Sequence, residues 1–175
     1  MAHKHSVYDT DPHFKIDPAT RSITNLSTTK IFVVQHDHNS ERFTFEIPRY
    51  IDGHDMSLSD KIEVHFDNIA ADKTGESKSK YKVDDMQISP DSDDVVIFSW
   101  LLSNLATMYA GALNFWVRFS CMTGGVVDYV WGTDKHKGIT VLESGDYEDF
   151  APTLSQEQIG ELVNVALDEA LVVEY

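Results

Sequence analysis

Residues 95–133 read VVIFSWLLSNLATMYAGALNFWVRFSCMTGGVVDYVWGT, the densest apolar and aromatic block in the chain. Between Gly111 and Cys121 the pattern alternates. Leu113, Phe115, Val117, Phe119 and Cys121 share one parity, and Asn114, Arg118 and Ser120 mostly fill the other. Successive side chains of a strand point to opposite faces, so this spacing predicts one long strand with a buried face. Gly124-Gly125 interrupts it, and Val126 to Trp131 resumes the alternation with Asp128 as its clearest outward residue. A glycine pair supplies the positive φ that tight turns need, which predicts a hairpin.

The flanking sequence repeats this pattern on a smaller scale. Lys30–His36 and Arg42–Pro48 are apolar runs separated by the turn residues Asp37–Ser40, and they read as a hairpin with Phe43, Phe45 and Ile47 inward. Lys61–Asn68 sets Ile62, Val64 and Phe66 against Glu63, His65 and Asp67, the pattern of a strand with one wet face. Ala70–Lys80 reads as a solvated loop, Tyr81–Ile88 as a weaker strand, Asn104–Ala110 as one helical turn and Ile139–Leu142 as a last short strand. Eight or nine strands with turn signals every ten or so residues predict an all-β chain, an antiparallel β-sandwich spanning 30–143. No helix-length pattern separates the strands, which argues against a parallel α/β sheet.

The ends differ from this middle. Residues 1–29 are polar, with a small hairpin predicted around Asp17-Pro18-Ala19-Thr20, and they read as an arm that packs on a neighbour or on the domain edge. Residues 144–154 form an acidic linker, and Ser155 with Gln158 has the form of a capping box opening a helix within 155–175. Its apolar positions Ile159, Leu162, Val163 and Ala166 recur at helical spacing. This C-terminal α-helix either docks back on its own sandwich or self-associates, and those four residues are the candidate contact set.

Composition narrows the function. The chain has 175 residues, 42% of them hydrophobic, which is enough for one domain with a sizeable core. Fourteen basic against twenty-nine acidic residues give a net charge of −15, which on balance repels phosphate backbones and argues against a nucleic-acid partner. The beginning of the chain lacks a signal-peptide pattern, and no run approaches the ~18 apolar residues of a membrane span. The single cysteine, Cys121, lies on the apolar parity of a strand and reads as a buried thiol.

Candidates for chemistry are few. His36 and His38 lie two apart, which on a strand places both rings on one face, where they could share a metal; an exposed turn fits Asp37 and Asn39 better. Asp91, Asp93 and Asp94 lack the glycine and glutamate of a calcium loop. Asp84 and Asp85, or Asp146 with Glu148 and Asp149, are the carboxylates a hydrolase would need to bring together. None of the familiar nucleophile, zinc, redox or phosphate-loop motifs occurs. No cofactor is expected, and the chain reads as a non-enzyme. Trp100, Trp116 and Trp131, with Tyr109 and Tyr129, would hold a sugar if they lined one groove.

Three segments carry a resemblance: FTFEIPRYIDGHDMS at 43–57, VIFSWLLSNLATMYAGALNFWVRFSC at 96–121 and VVDYVWGT at 126–133. With FKIDPATRSITN at 14–25, they resemble a family of small prophage-encoded structural proteins of Firmicutes, similar to the N-terminal immunoglobulin-like domain of phage baseplate upper proteins. The most specific pieces are Ile47-Pro48-Arg49-Tyr50, Ser99-Trp100-Leu101 and Tyr109-x-Gly111. The resemblance implies an immunoglobulin-like sandwich in the virion, attaching a baseplate or tail appendage through contacts with other phage structural proteins and with its own copies. No long fibre region follows in this sequence, so a capsid decoration or head-fibre protein is an alternative, and a host-glycan-binding module of a receptor-binding apparatus is another.

Overall fold

The computed structural model describes residues 12–27 and 30–144. The chain opens with the hairpin β1 (His13–Asp17) and β2 (Ser22–Asn25), then β3 (Phe32–Val34) and β4 (Arg42–Pro48). A miniature hairpin, β5 (Tyr50–Ile51) and β6 (His54–Asp55), turns at Asp52-Gly53, whose φ values of 51° and 81° are both positive. A 3-10 turn over Met56–Leu58 leads into β7 (Lys61–Ala70), β8 (Glu76–Lys82) and β9 (Gln87–Ile88). The block that dominates the sequence supplies β10 (Val95–Leu101), β11 (Gly111–Thr123) and β12 (Val126–Gly132), and β13 (His136–Leu142) ends the described chain.

Apart from the two-stranded β5–β6 hairpin, these strands form two sheets face to face. The five-stranded sheet has the order β2-β1-β4-β10-β9; the six-stranded sheet has the order β3-β13-β11-β7-β8, with β12 also paired to β11. On the side of β11 away from β7, β13 lies along the first part and β12 along the last. Thr133 fills the gap between them, its backbone N–H donating to the Val117 carbonyl while its hydroxyl accepts from the Val117 N–H, both at 2.9 Å. Gly124 and Gly125, at φ 58° and 82°, turn the β11–β12 hairpin, and two positive φ values match the twist of the strands they join.

The core is the aromatic parity of both sheets. Phe14, Phe43, Phe45 and Phe98 from one sheet meet Phe66, Phe115 and Phe119 from the other, with Trp100 fully buried among them. Phe115 sits edge-on to Phe14, Phe45 and Trp100 at 5.3–5.7 Å, the geometry that the aromatic quadrupole favours.

The specific pieces of the resemblance are structural. The Arg49 guanidinium grips Asp55 through Nε (3.1 Å) and Nη2 (3.0 Å) and reaches the Asp93 carbonyl at 3.2 Å, joining three loops at one end of the sandwich. Ser99 is held by Asp85, which accepts from its backbone N–H at 2.9 Å and from its hydroxyl. Asn68, fully buried, donates to the Tyr109 and Ala112 carbonyls and accepts from the Tyr109 N–H, satisfying the segment before β11. Gly111 has φ 152°, and a Cβ there would collide with the Ile69 carbonyl oxygen.

Several sequence expectations need correction. β3 and β4 are not a hairpin: β3 pairs with β13 in one sheet and β4 with β1 and β10 in the other, so the turn between them is a crossing between layers. The sheets are not purely antiparallel, because β1–β4 and β3–β13 are parallel pairs. The predicted loop 70–80 contains most of β8, whose Lys and Glu hide a strand pattern from any hydrophobic reading. Asn104–Ala110 folds as successive turns, with Ala106 N–H to Ser103 and Thr107 N–H to Asn104, and not as a helical turn. The N-terminal hairpin forms as expected and also extends the five-stranded sheet, with Phe14 and Ile16 fully buried. The predicted C-terminal α-helix, its residues Ile159, Leu162, Val163 and Ala166, and nearly all of the acidic linker lie outside the described residues.

Candidate functional site

Two surfaces of the six-stranded sheet stand out, and both follow from strand parity. The first is the free side of β12. Val126, Val127 and Val130 are 68%, 50% and 45% exposed, and Met122 across the turn is exposed as well. Across β11 from them, where the chain enters β7, the Met56–Leu58 turn holds out Leu58, 72% exposed. The loop is pinned there by Asp60, whose N–H donates to the Ser120 carbonyl (2.9 Å) and whose carboxylate accepts from the Met122 N–H (2.6 Å). His54 stacks on Tyr129 at 3.7 Å, locking the miniature hairpin against β12. Asp128, the one charge on β12, is taken up by the Thr123 hydroxyl. Beyond β12 no further strand pairs among the described residues.

The second surface is the outer face of the same sheet. In register across β8, β7 and β11, Lys82 faces Glu63 and Arg118, Lys80 faces His65 and Trp116, and Lys78 faces Asp67 and Asn114. The expectation of a wet face fails here: Glu63, Asp67 and Asn114 are buried, covered by the stems of their cationic neighbours and by Trp116. Glu63 receives Lys80 at 3.3 Å, Lys61 at 3.6 Å and His65 at 3.6 Å. Asp67 receives Lys135 at 2.7 Å and the Asn114 amide at 2.8 Å. Trp116 is sandwiched, with the His65 ring stacked at 5.5 Å and the Lys135 ammonium 4.8 Å from its centroid.

Protonation follows from these contacts. Burial opposes ionisation of Glu63, but the hydrogen bond and charge of Lys80, with Lys61 and His65, hold its carboxyl below the usual range. Burial pushes the His65 imidazole down; Glu63 pulls it up, while Lys80 and Arg118 push it down again, and the net shift is downward. In the miniature hairpin, the bonds from Arg49 and Ser57 hold Asp55 at about 2.

The other candidates are dispersed. His36 and His38 fall on the turn after β3, not on a strand; His36 is left-handed at φ 71°, and the His38 Nδ1 accepts from the Asn104 N–H at 3.0 Å. Among the described residues no three His, Cys, Asp or Glu side chains are grouped to hold a metal. Asp85 is occupied by Ser99, while Asp84, Asp91, Asp93 and Asp94 are exposed on loops, so they converge on no shared site. Asp146, Glu148 and Asp149 lie outside the described residues. Trp100 and Trp131 are buried in the core and Trp116 is on the opposite face of its sheet, so the tryptophans line no common groove. Cys121, at the end of the buried parity, is half-buried beside the Ser59 hydroxyl at 4.0 Å. Neither surface was visible in the sequence, since each depends on which strands become neighbours.

The fold defines a two-sheet β protein with an apolar edge and a cation-covered face. No family model matches the chain. No curated protein matches it either. Among solved structures it is similar to one described as the N-terminal domain of phage TP901-1 ORF48, at a TM-score of 0.44 and 14% identity, over 75% of this chain and 98% of that chain.

Proposed function

We propose that the chain is a virion structural protein of a phage, an immunoglobulin-like attachment module of a baseplate or tail appendage that works by protein–protein contacts and turns over no substrate. Its partners are other phage structural proteins and further copies of itself. The direction comes from the residue-level resemblance of 14–25, 43–57, 96–121 and 126–133. The physical content comes from one observation, the β12 edge, which pairs with no further strand among the described residues and carries the exposed Val126, Val127 and Val130. A row of open backbone groups flanked by apolar side chains is a template for adding a strand from another chain. Such an edge is a liability on a protein that stays alone and an asset on one that is built into a larger particle. Quantitative mass spectrometry of purified particles from the phage that encodes the chain tests this reading. The expected result is a fixed multiple of copies per particle; its absence from purified particles would refute the role.

A further inference from the structure

We propose that the acidic C-terminal segment of this chain, residues 145–175, binds the outer face of its own six-stranded sheet. The inference stands on charge and position, whether or not the chain is a virion protein.

The chain as a whole is strongly acidic, yet this face is not. Lys61, Lys78, Lys80, Lys82, Arg118 and Lys135 lie on it, six of the fourteen basic residues of the chain, against Glu63, Asp67 and Glu76 across β7 and β8 and Asp128 on β12, which the Thr123 hydroxyl takes up. Glu63 and Asp67 are buried beneath the cations, so the outermost layer is more positive than the count suggests. Lys82 and Arg118 project from it with no ion pair among the described residues. A concentration of one sign on a body of the other sets up an attraction for an oppositely charged partner.

The chain itself supplies such a partner. Residues 145–175 contain eight acidic residues and no Lys or Arg, about half of the net charge of −15. The described chain ends at the margin of this same face: Leu142 is on β13, and Ser144 N–H reaches the Gln35 side chain at 3.4 Å. Arg118 lies seven residues along β11 from Gly111, which pairs with Val141, a distance of about 23 Å at the rise of a strand. A segment of 31 residues reaches that far with ample length to spare. At the near margin Phe32, Val34 and Leu142 are exposed on the outward parity, and Trp116 lies between them and the cations. An amphipathic segment carrying Ile159, Leu162 and Val163 beside Glu157 and Glu161 matches both parts, apolar against the margin and carboxylate against the lysines.

Zero-length carbodiimide coupling of carboxylates to lysines in the full chain tests this, using an equimolar mixture of 14N- and 15N-labelled protein. The expected products join residues 145–175 to Lys61, Lys80, Lys82 or Lys135 within one isotope. Mixed-isotope products alone would mean that the segment crosses to a neighbour, and no product between these regions would mean that the face serves another partner; either result overturns the proposal. A second measurement uses Lys82→Glu with Arg118→Glu, which touches neither the Glu63 nor the Asp67 ion pairs. Cleavage of 145–175 by a glutamate-specific protease should then become at least tenfold faster, and 0.5 M salt should speed cleavage in the unmodified chain. An unchanged rate in both would contradict the proposal.

Discussion

The two long edges of the six-stranded sheet are built in opposite ways. β8 presents Glu76, Lys78, Lys80 and Lys82, and β12 presents Val126, Val127 and Val130. Exposed strand edges invite unwanted pairing, and proteins blunt them with charge or with brevity. The remaining edges follow that rule, since β2, β3 and β9 are four, three and two residues long. β12, at seven residues and with one charge tied to Thr123, is the exception. Among the described residues, β12 is thus the one long edge of this sheet that charge does not blunt, which is why the proposed contact is placed there.

The largest effect is expected from the core that supports both edges. Trp100→Ala removes a fully buried indole packed against Phe43, Phe66 and Phe115, and should cost about 3–5 kcal/mol, lowering Tm by roughly 10–15 °C in calorimetry. Gly111→Ala forces a Cβ into the Ile69 carbonyl and should cost on the order of 3 kcal/mol by urea denaturation, separating backbone fit from side-chain packing.

Closing the open edge is the next test. Val127→Lys with Val130→Lys makes β12 resemble β8 and should weaken self-association about a hundredfold in sedimentation velocity while shifting Tm by no more than a few degrees. Opening the closed edge with Lys78→Val and Lys82→Val, which spares the Glu63 and Asp67 pairs, should strengthen self-association by about tenfold.

Acid should act more gently and in two windows. His65 and His136 are held below 6.5 by burial, His65 also by Lys80 and Arg118 against the pull of Glu63, and His136 despite its bond to the Ile23 carbonyl. The unfolded chain therefore takes up these protons first, so this part of the stability is complete above pH 6.5 and declines as pH falls below it. Asp55, lowered from 3.8 to about 2 by its bonds to Arg49 and Ser57, and Glu63, held below 4.5, contribute stability that is lost as pH falls through the acid range. Thermal scans from pH 8 to 2 should show both declines, and His65→Gln should reduce the first and, by removing one of the partners of Glu63, part of the second.

What the sequence displayed was local. The β11–β12 hairpin was legible because Gly124-Gly125 separates two alternating runs, and β4 because Phe43, Phe45 and Ile47 alternate up to Pro48. Partnership was not legible. Nothing near Val33 indicates that it pairs with Val141, more than a hundred residues away, so β3 and β4 read as a hairpin although they lie in different layers. Burial of charge was hidden for the same reason: Glu63 and Asp67 look solvent-facing until cations from β8 and the β12–β13 connection arrive over them. The tryptophans suggested a binding groove, and two of them are core residues instead. Net charge likewise concealed a face of the opposite sign.

The central claim is that the β12 edge is where this protein joins its assembly. Producing particles in the presence of equal amounts of unmodified chain and the Val127→Lys, Val130→Lys variant, and measuring their ratio in the purified particles by mass spectrometry, tests it most directly. The account predicts that the variant is excluded at least tenfold; incorporation in the supplied ratio would contradict it.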